Sequence, residues 1–180
     1  MHEEIVIAGM GGQGVLFIGR LLAEAGLLEG REVVWVPTYG GEKRGGSVRC
    51  DVTISDRRIG ALCVSRPTAA VAMNQLSLAL LEPTVKPAGL LVVNRSMAAS
   101  AVRREDIGVT YVPADDLATA AGDDSASNLV ALGVLIAVCP VVSVAGILEV
   151  MDNTSLEEPG RVELNRQALT QGHSWAQTEQ

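Results

Sequence analysis

The chain has 180 residues, of which 48% are apolar and only 3% aromatic, and it carries a formal net charge of −7. That length suits one domain with a full core, filled here by small aliphatic side chains rather than rings. The acidic balance and the scarcity of rings exclude nucleic acid as a partner, since phosphate binding needs a basic stripe and base stacking needs aromatic platforms.

The first four residues are acidic and run straight into an apolar stretch over 5–8, so they are not expected to form a secretory leader. That stretch predicts a strand covered on both faces. Gly9-Met10-Gly11-Gly12-Gln13-Gly14 follows it. Val15, Ile18, Leu22 and Ala25 then recur at helical spacing, which predicts a helix over 14–28 closed by Gly30. A second strand over 32–36 completes a βαβ unit with a right-handed crossover. The second glycine-rich loop is Gly40-Gly41-Glu42-Lys43-Arg44-Gly45-Gly46. After it, Val48, Cys50, Val52 and Ile54 alternate with Ser47, Arg49, Asp51, Thr53 and Ser55, a strand with one less buried face. A turn over 55–58 and a short strand over 59–64 predict a hairpin, which makes a mostly parallel sheet mixed.

Residues 69–73 form a further apolar run ending at Asn74, and 76–81 a short helix stopped near Pro83. Strands are predicted over 89–94 and 109–112, and a helix over 115–121. Ser127 is expected to cap a long apolar helix over 128–139, and Ser143 a second helix over 144–151. A terminal helix spans 161–171, and 173–180 reads as a tail beyond a single domain of residues 1–172. The apolar stretch over 129–144 is about sixteen residues long and is cut by Pro140, short of the roughly twenty that a bilayer needs. It is read as a buried helix, and no membrane association is expected. The alternation of strands and helices predicts an α/β fold, a three-layer α/β/α sandwich with a glycine-rich strand–helix loop. Ligands in such folds bind beyond the carboxyl ends of the strands, where both glycine loops, Asn74 and Asn94 fall.

A strand, a glycine turn and a helix N-terminus present backbone N–H groups outward with the helix dipole behind them, which favours an anion. Lys43 and Arg44 add positive charge. Gly9, Gly11 and Gly14 satisfy G-x-G-x-x-G, but the acidic residue that should end the second strand of a dinucleotide site is missing, because that strand ends Val36-Pro37-Thr38. The glycines therefore serve close strand–helix packing, a different phosphorylated ligand, or the docking of another subunit. A free-standing dinucleotide-binding protein remains the alternative class.

Cys50, Cys63 and Cys139 are scattered, and they supply neither a Cys-x-x-Cys pair nor the four thiolates of an iron–sulfur cluster. So few thiols fit a reducing cytoplasm. His2 and His173 lie near the termini, and there is no Gly-x-Ser-x-Gly elbow or Walker loop. Gly122-Asp123-Asp124 and Asn128 are too closely spaced for a thiamine diphosphate–magnesium signature and read as a loop with a helix cap. Neither a catalytic residue nor a metal-ligand set is expected on this chain.

Gly-Met-Gly-Gly-Gln-Gly-Val over 9–15 and Tyr39-Gly40-Gly41-Glu42-Lys43-Arg44-Gly45-Gly46-Ser47 together resemble the gamma subunits of 2-oxoacid:ferredoxin oxidoreductases. The likeness continues through Ile54-Ser55-Asp56, Ala72-Met73-Asn74-Gln75, Leu80-Leu81-Glu82-Pro83, Asn128-Leu129-Val130-Ala131-Leu132-Gly133 and Leu164-Asn165-Arg166-Gln167-Ala168-Leu169. Gly41 stands where the family often has proline.

The resemblance implies a required but non-catalytic subunit, inactive alone and binding no cofactor alone. Its complex oxidatively decarboxylates a 2-oxoacid to an acyl-coenzyme A, or runs the reverse, and exchanges electrons with ferredoxin. Other subunits are implied to carry thiamine diphosphate, magnesium and iron–sulfur clusters. By the same resemblance Gly9, Gly11, Gly12, Gln13 and Gly14, with Glu42, Arg44, Gly45 and Gly46, face those partners near the coenzyme A approach, and Asn74 joins them. Met73-Asn74-Gln75 and Glu82-Pro83 most resemble the 2-oxoglutarate branch, while pyruvate, branched-chain 2-oxoacids and indolepyruvate are the family's other substrates.

Overall fold

The structure, a computed structural model, describes residues 1–40, 46–153 and 159–178. Six strands form one sheet: β1 (His2–Met10), β2 (Glu32–Tyr39), β3 (Ser47–Ser55), β4 (Ala69–Ala72), β5 (Leu90–Asn94) and β6 (Gly108–Val112), in the order β2-β3-β1-β4-β5-β6. One row across the sheet reads Pro37, Cys50, Ile7, Val71, Val92, Thr110. Strands β1, β4, β5 and β6 are parallel, so their carboxyl ends share one edge, and β3 runs antiparallel between β1 and β2.

The sheet is mixed as expected, but through a different hairpin. Strand β3 pairs back onto β2 across the second glycine loop, while residues 59–64 form no strand and cross one face of the sheet as irregular chain. Arg49 and Asp51 hold that crossing in place. The Asp51 carboxylate accepts from Arg49 Nε (2.6 Å) and from the Val64 N–H (2.9 Å), and Arg49 also donates to the Val64 carbonyl. Asp51, Thr53 and Ser55, expected on the less buried face of β3, are therefore only 6%, 3% and 0% exposed.

Helix α1 (Val15–Leu28) covers the opposite face, with Ile18 and Leu22 packed in one core with Ile5, Ile7, Cys50 and Ile54. Helix α2 (Gln75–Leu81) covers the face crossed by 59–64, with Leu78 and Leu81 in a smaller core with Val6, Ala8 and Ala72. Each such fully buried Leu contributes about 2 kcal/mol. Helices α3 (Ala114–Ala120), α4 (Ser127–Val138) and α5 (Val144–Asn153) add to the α1 side.

Helix α4 is buried over its whole length from Asn128 to Ile136 because the sheet lies on one side and α6 (Pro159–Thr178) on the other. Glycines permit the close approach: a Cβ on Gly133 would overlap the Leu169 carbonyl, and one on Gly172 the Val130 carbonyl. A helix that is apolar all round is thus a core helix. Among the described residues no helix is long and apolar enough to cross a membrane.

Two details depart from expectation. Ser127 lies inside α4 and caps nothing; Asp123 instead accepts from the Ser125 N–H to start the 3-10 turn Asp124–Ala126 ahead of it. Helix α6 extends past 171 to Thr178, because Ala176 is buried and Trp175 packs against the core. Ser143 does cap α5, its Oγ accepting from the Gly146 N–H (2.9 Å).

Candidate functional site

The carboxyl end of β1 opens into the first glycine loop, which is closed by its own side chain. Gln13 Oε1 accepts from the Met10 N–H (2.8 Å), and the Gln13 N–H donates to the Met10 carbonyl (3.0 Å). The same Oε1 accepts from Asn74 Nδ2 (2.8 Å), and Gln13 Nε2 donates to the Met73 carbonyl (3.3 Å). Asn74 stands at the end of β4, where its Oδ1 accepts from the Ser77 N–H (2.9 Å) and hydroxyl (3.0 Å) and caps α2. Gln13 and Asn74 are therefore a positioning pair that fixes one strand end against the next.

The loop also needs left-handed backbone. Gly12 and Gly14 have φ of 97° and 67°, a region that side chains disfavour. At Gly14 a Cβ would in addition overlap Asn128 Nδ2, which donates to the Gly14 carbonyl (3.3 Å) from the start of α4. The Asn128 contact spans 114 residues and leaves no local signal in the sequence.

The two glycine loops meet. The Gly11 N–H donates to the Gly46 carbonyl (2.9 Å), and the Gly40 N–H closes the base of the hairpin on the Ser47 carbonyl (2.7 Å). Of the predicted site residues, Gly9, Gly11, Gly12, Gln13, Gly14, Gly46 and Asn74 are thus brought to one edge. Glu42, Arg44 and Gly45, with Gly41 and Lys43, lie outside the described residues. Asn94 ends β5 on the same edge, fully buried, with Nδ2 donating to Asp115 (3.1 Å).

This geometry differs from a dinucleotide cradle. The amides of Met10, Gly11 and Gln13 are already bonded within the protein. The strand that would place an acid beside the loop is separated from β1 by antiparallel β3, and Glu32 pairs with Ser55 at the far end. Beside the loop, a cavity of about 280 Å³ runs between Gly9, Gly40, Arg49 and α2. Its rim exposes Tyr39 (67%), Leu76 (61%) and Leu80 (56%), an apolar border around a polar turn.

Two of the chain's three thiols are buried. Burial pushes Cys50 up to about 12 and Cys139 up to about 11, so both stay protonated. Cys63 is exposed on the irregular crossing. Among the described residues no group of three His, Cys, Asp or Glu side chains could hold a metal ion.

The fold and edge define an α/β domain whose glycine turn is braced from three sides by neighbouring strand and helix ends. The chain belongs to the pyruvate ferredoxin/flavodoxin oxidoreductase family, which it matches over residues 4–175. It is 35% identical to 2-oxoglutarate synthase subunit KorC of Methanothermobacter marburgensis, covering 96% of this chain and 95% of that one. It is also 35% identical to ketoisovalerate oxidoreductase subunit VorA of the same organism, but spans only 36% of that protein's length. The gamma subunit of a keto/oxoacid ferredoxin oxidoreductase from Geobacter sulfurreducens superposes with a TM-score of 0.83 at 29% identity, covering 98% of this chain and 99% of that one. A 2-oxoglutarate:ferredoxin oxidoreductase from Magnetococcus marinus, solved with 2-oxoglutarate, coenzyme A and succinyl-CoA bound, shares the fold with a TM-score of 0.89 at 22% identity. This chain covers 31% of it.

Proposed function

We propose that this chain is the gamma subunit of a cytoplasmic 2-oxoacid:ferredoxin oxidoreductase acting on 2-oxoglutarate, seating its partner subunits and shaping the approach of coenzyme A. The observation that carries this reading is the Gly11–Gly46 hydrogen bond. It ties the first glycine turn, whose amides are partly spent, to the carboxyl end of the second loop, beside exposed Tyr39, Leu76 and Leu80. Such a rim suits a protein partner, with the turn left at the boundary of a shared cleft. Thiamine diphosphate, magnesium and the iron–sulfur clusters reside on those partners, consistent with the buried, protonated thiols here. The choice of 2-oxoglutarate is supported by the 35% identity to KorC over 95% of that subunit's length.

The test is an anaerobic, untagged purification of the chain with its partners, identified by mass and assayed with 2-oxoglutarate, pyruvate, 2-oxoisovalerate and indolepyruvate. Coenzyme A-dependent ferredoxin reduction that is fastest with 2-oxoglutarate is the expected result. A chain that purifies alone overturns the assignment, and a different preferred acid overturns the substrate. Arg44→Ala is expected to lower turnover at limiting coenzyme A while the complex still assembles.

A further inference from the structure

A cavity of about 420 Å³ opens on the opposite edge of the sheet, at the amino ends of the parallel strands. Its lining joins Glu3 of β1, Thr68 just before β4 and Leu90 of β5 to Val138, Cys139 and Pro140, where α4 ends. The turn from Lys86 to Gly89 forms its lip, closed by the Gly89 N–H on the Lys86 carbonyl (2.9 Å) and tied down by the Lys86 N–H on the Pro67 carbonyl (2.9 Å). Ala88 holds left-handed backbone in that turn, with φ of 61°, a conformation that a side chain disfavours and that the surrounding structure must enforce.

Two features leave negative potential here without a counter-charge. Lys86 is spent on an ion pair with Glu4, whereas Glu3 forms no ion pair with a described residue, and its Oε2 accepts from the Thr68 hydroxyl (2.6 Å). Helix α4 has no basic residue in its last turn. Pro140 has no N–H to give the Ile136 carbonyl, and the Val141 N–H bonds the Cys139 carbonyl (2.7 Å) instead of continuing the helix. The negative end of the helix dipole is thus uncompensated. Burial, and after it the Glu3 carboxylate, pushes the Cys139 thiol up to about 11, so the carboxylate and the helix end act on the same space.

We propose that this cavity binds a primary aliphatic amine, with the ammonium group held between Glu3 and the end of α4 and the methylene chain lying along Leu90, Val138 and Pro140. An ammonium carries three donors and a full positive charge, which answers a free carboxylate and unpaired helix carbonyls together. The cation is organic on two grounds. Among the described residues no group of three His, Cys, Asp or Glu side chains could hold a metal ion. A few polar groups on an apolar wall are what a small organic ligand requires. The site lies on the far edge from the glycine loops, so it stands independently of the function proposed above.

Calorimetric titration of the full chain with hexylamine at low ionic strength, against hexan-1-ol as the neutral probe, tests this in wild type, Glu3→Gln and Glu149→Gln. Glu149 is exposed on α5 and does not line the cavity, so its variant removes the same charge elsewhere. Gln at position 3 keeps an acceptor for the Thr68 hydroxyl, and an unchanged thermal midpoint confirms that the variant is folded. Saturable hexylamine binding is expected in wild type and Glu149→Gln, weakened about tenfold or more in Glu3→Gln, with hexan-1-ol weaker by a similar factor. No saturable binding at millimolar hexylamine, or equal affinity in wild type and Glu3→Gln, overturns the proposal. Equal weakening in both variants overturns it in favour of diffuse charge attraction, and hexan-1-ol binding as tightly as hexylamine overturns the ammonium as the recognised group.

Discussion

Gln13 Oε1 and Asn74 Nδ2 are 2.8 Å apart, although 61 residues separate them in the chain. The contact ties the end of β1 to the end of β4, and both side chains are spent on it. Gln13 also bonds Met10 and Met73, and Asn74 also caps α2.

Gln13→Ala should destabilise the protein by about 1 kcal/mol, because it removes the side-chain bonds to Met10, Met73 and Asn74. Asn74→Ala should cost about 1 kcal/mol through the lost cap. Since they share a bond, the double variant should lose at least about 0.5 kcal/mol less than the sum. Urea unfolding of the four proteins measures this, and strict additivity would show that the pair is not coupled.

Gly14→Ala carries two penalties: left-handed backbone, about 1–2 kcal/mol, and overlap with Asn128 Nδ2. Asn128→Ala removes the second. Gly14→Ala should therefore cost less in the Asn128→Ala background than in wild type. An equal cost in both backgrounds would mean that the backbone conformation alone matters at this position.

The irregular crossing depends on Asp51. Asp51→Ala removes the acceptor of Arg49 Nε and of the Val64 N–H, leaving the Arg49 bond to the Val64 carbonyl as the remaining anchor, and should loosen the chain around Arg57, Arg58 and Arg66. Limited trypsin digestion should cut there several-fold faster than in wild type. A digestion pattern identical to wild type would place the anchor elsewhere.

Stability should fall at both pH extremes. Folding holds Cys50 and Cys139 protonated to about 12 and about 11, above the 9.0 of an unperturbed thiol. The unfolded chain releases those protons first, so stability is whole below pH 9 and declines as pH rises toward 11 to 12. Asp56, Asp106 and Asp123 are held below their usual 3.8 by hydrogen bonds from the N-terminal ammonium, Arg104 and Ser125 respectively. Their contribution is present above about pH 3.8 and drains away as pH falls through the depressed values. In unfolding titrations between pH 7 and 10.5, the double variant Cys50→Ala, Cys139→Ala should lose most of the alkaline slope; an unchanged slope assigns it to other groups.

The α/β class and nearly every element were legible from local pattern. The apolar runs, the period-two alternation over 47–55 and the helical spacing over 15–25 each carry their own signal within a few residues. The family was equally legible, because the two glycine motifs occur at a specific spacing. Position in the sheet was not. The antiparallel course of β3 between β1 and β2, the failure of 59–64 to pair, and the burial of Asp51, Thr53 and Ser55 depend on which segment covers which face. Alternation reports two faces but not what lies over them. Asn128 against Gly14, Gly11 against Gly46 and Gln13 against Asn74 are bonds between segments remote in sequence. Composition and spacing along the chain thus sufficed for the kind of fold and the identity of its loops. Packing decided how those loops brace one another, because each bond exists only once distant strand ends have been brought to the same edge.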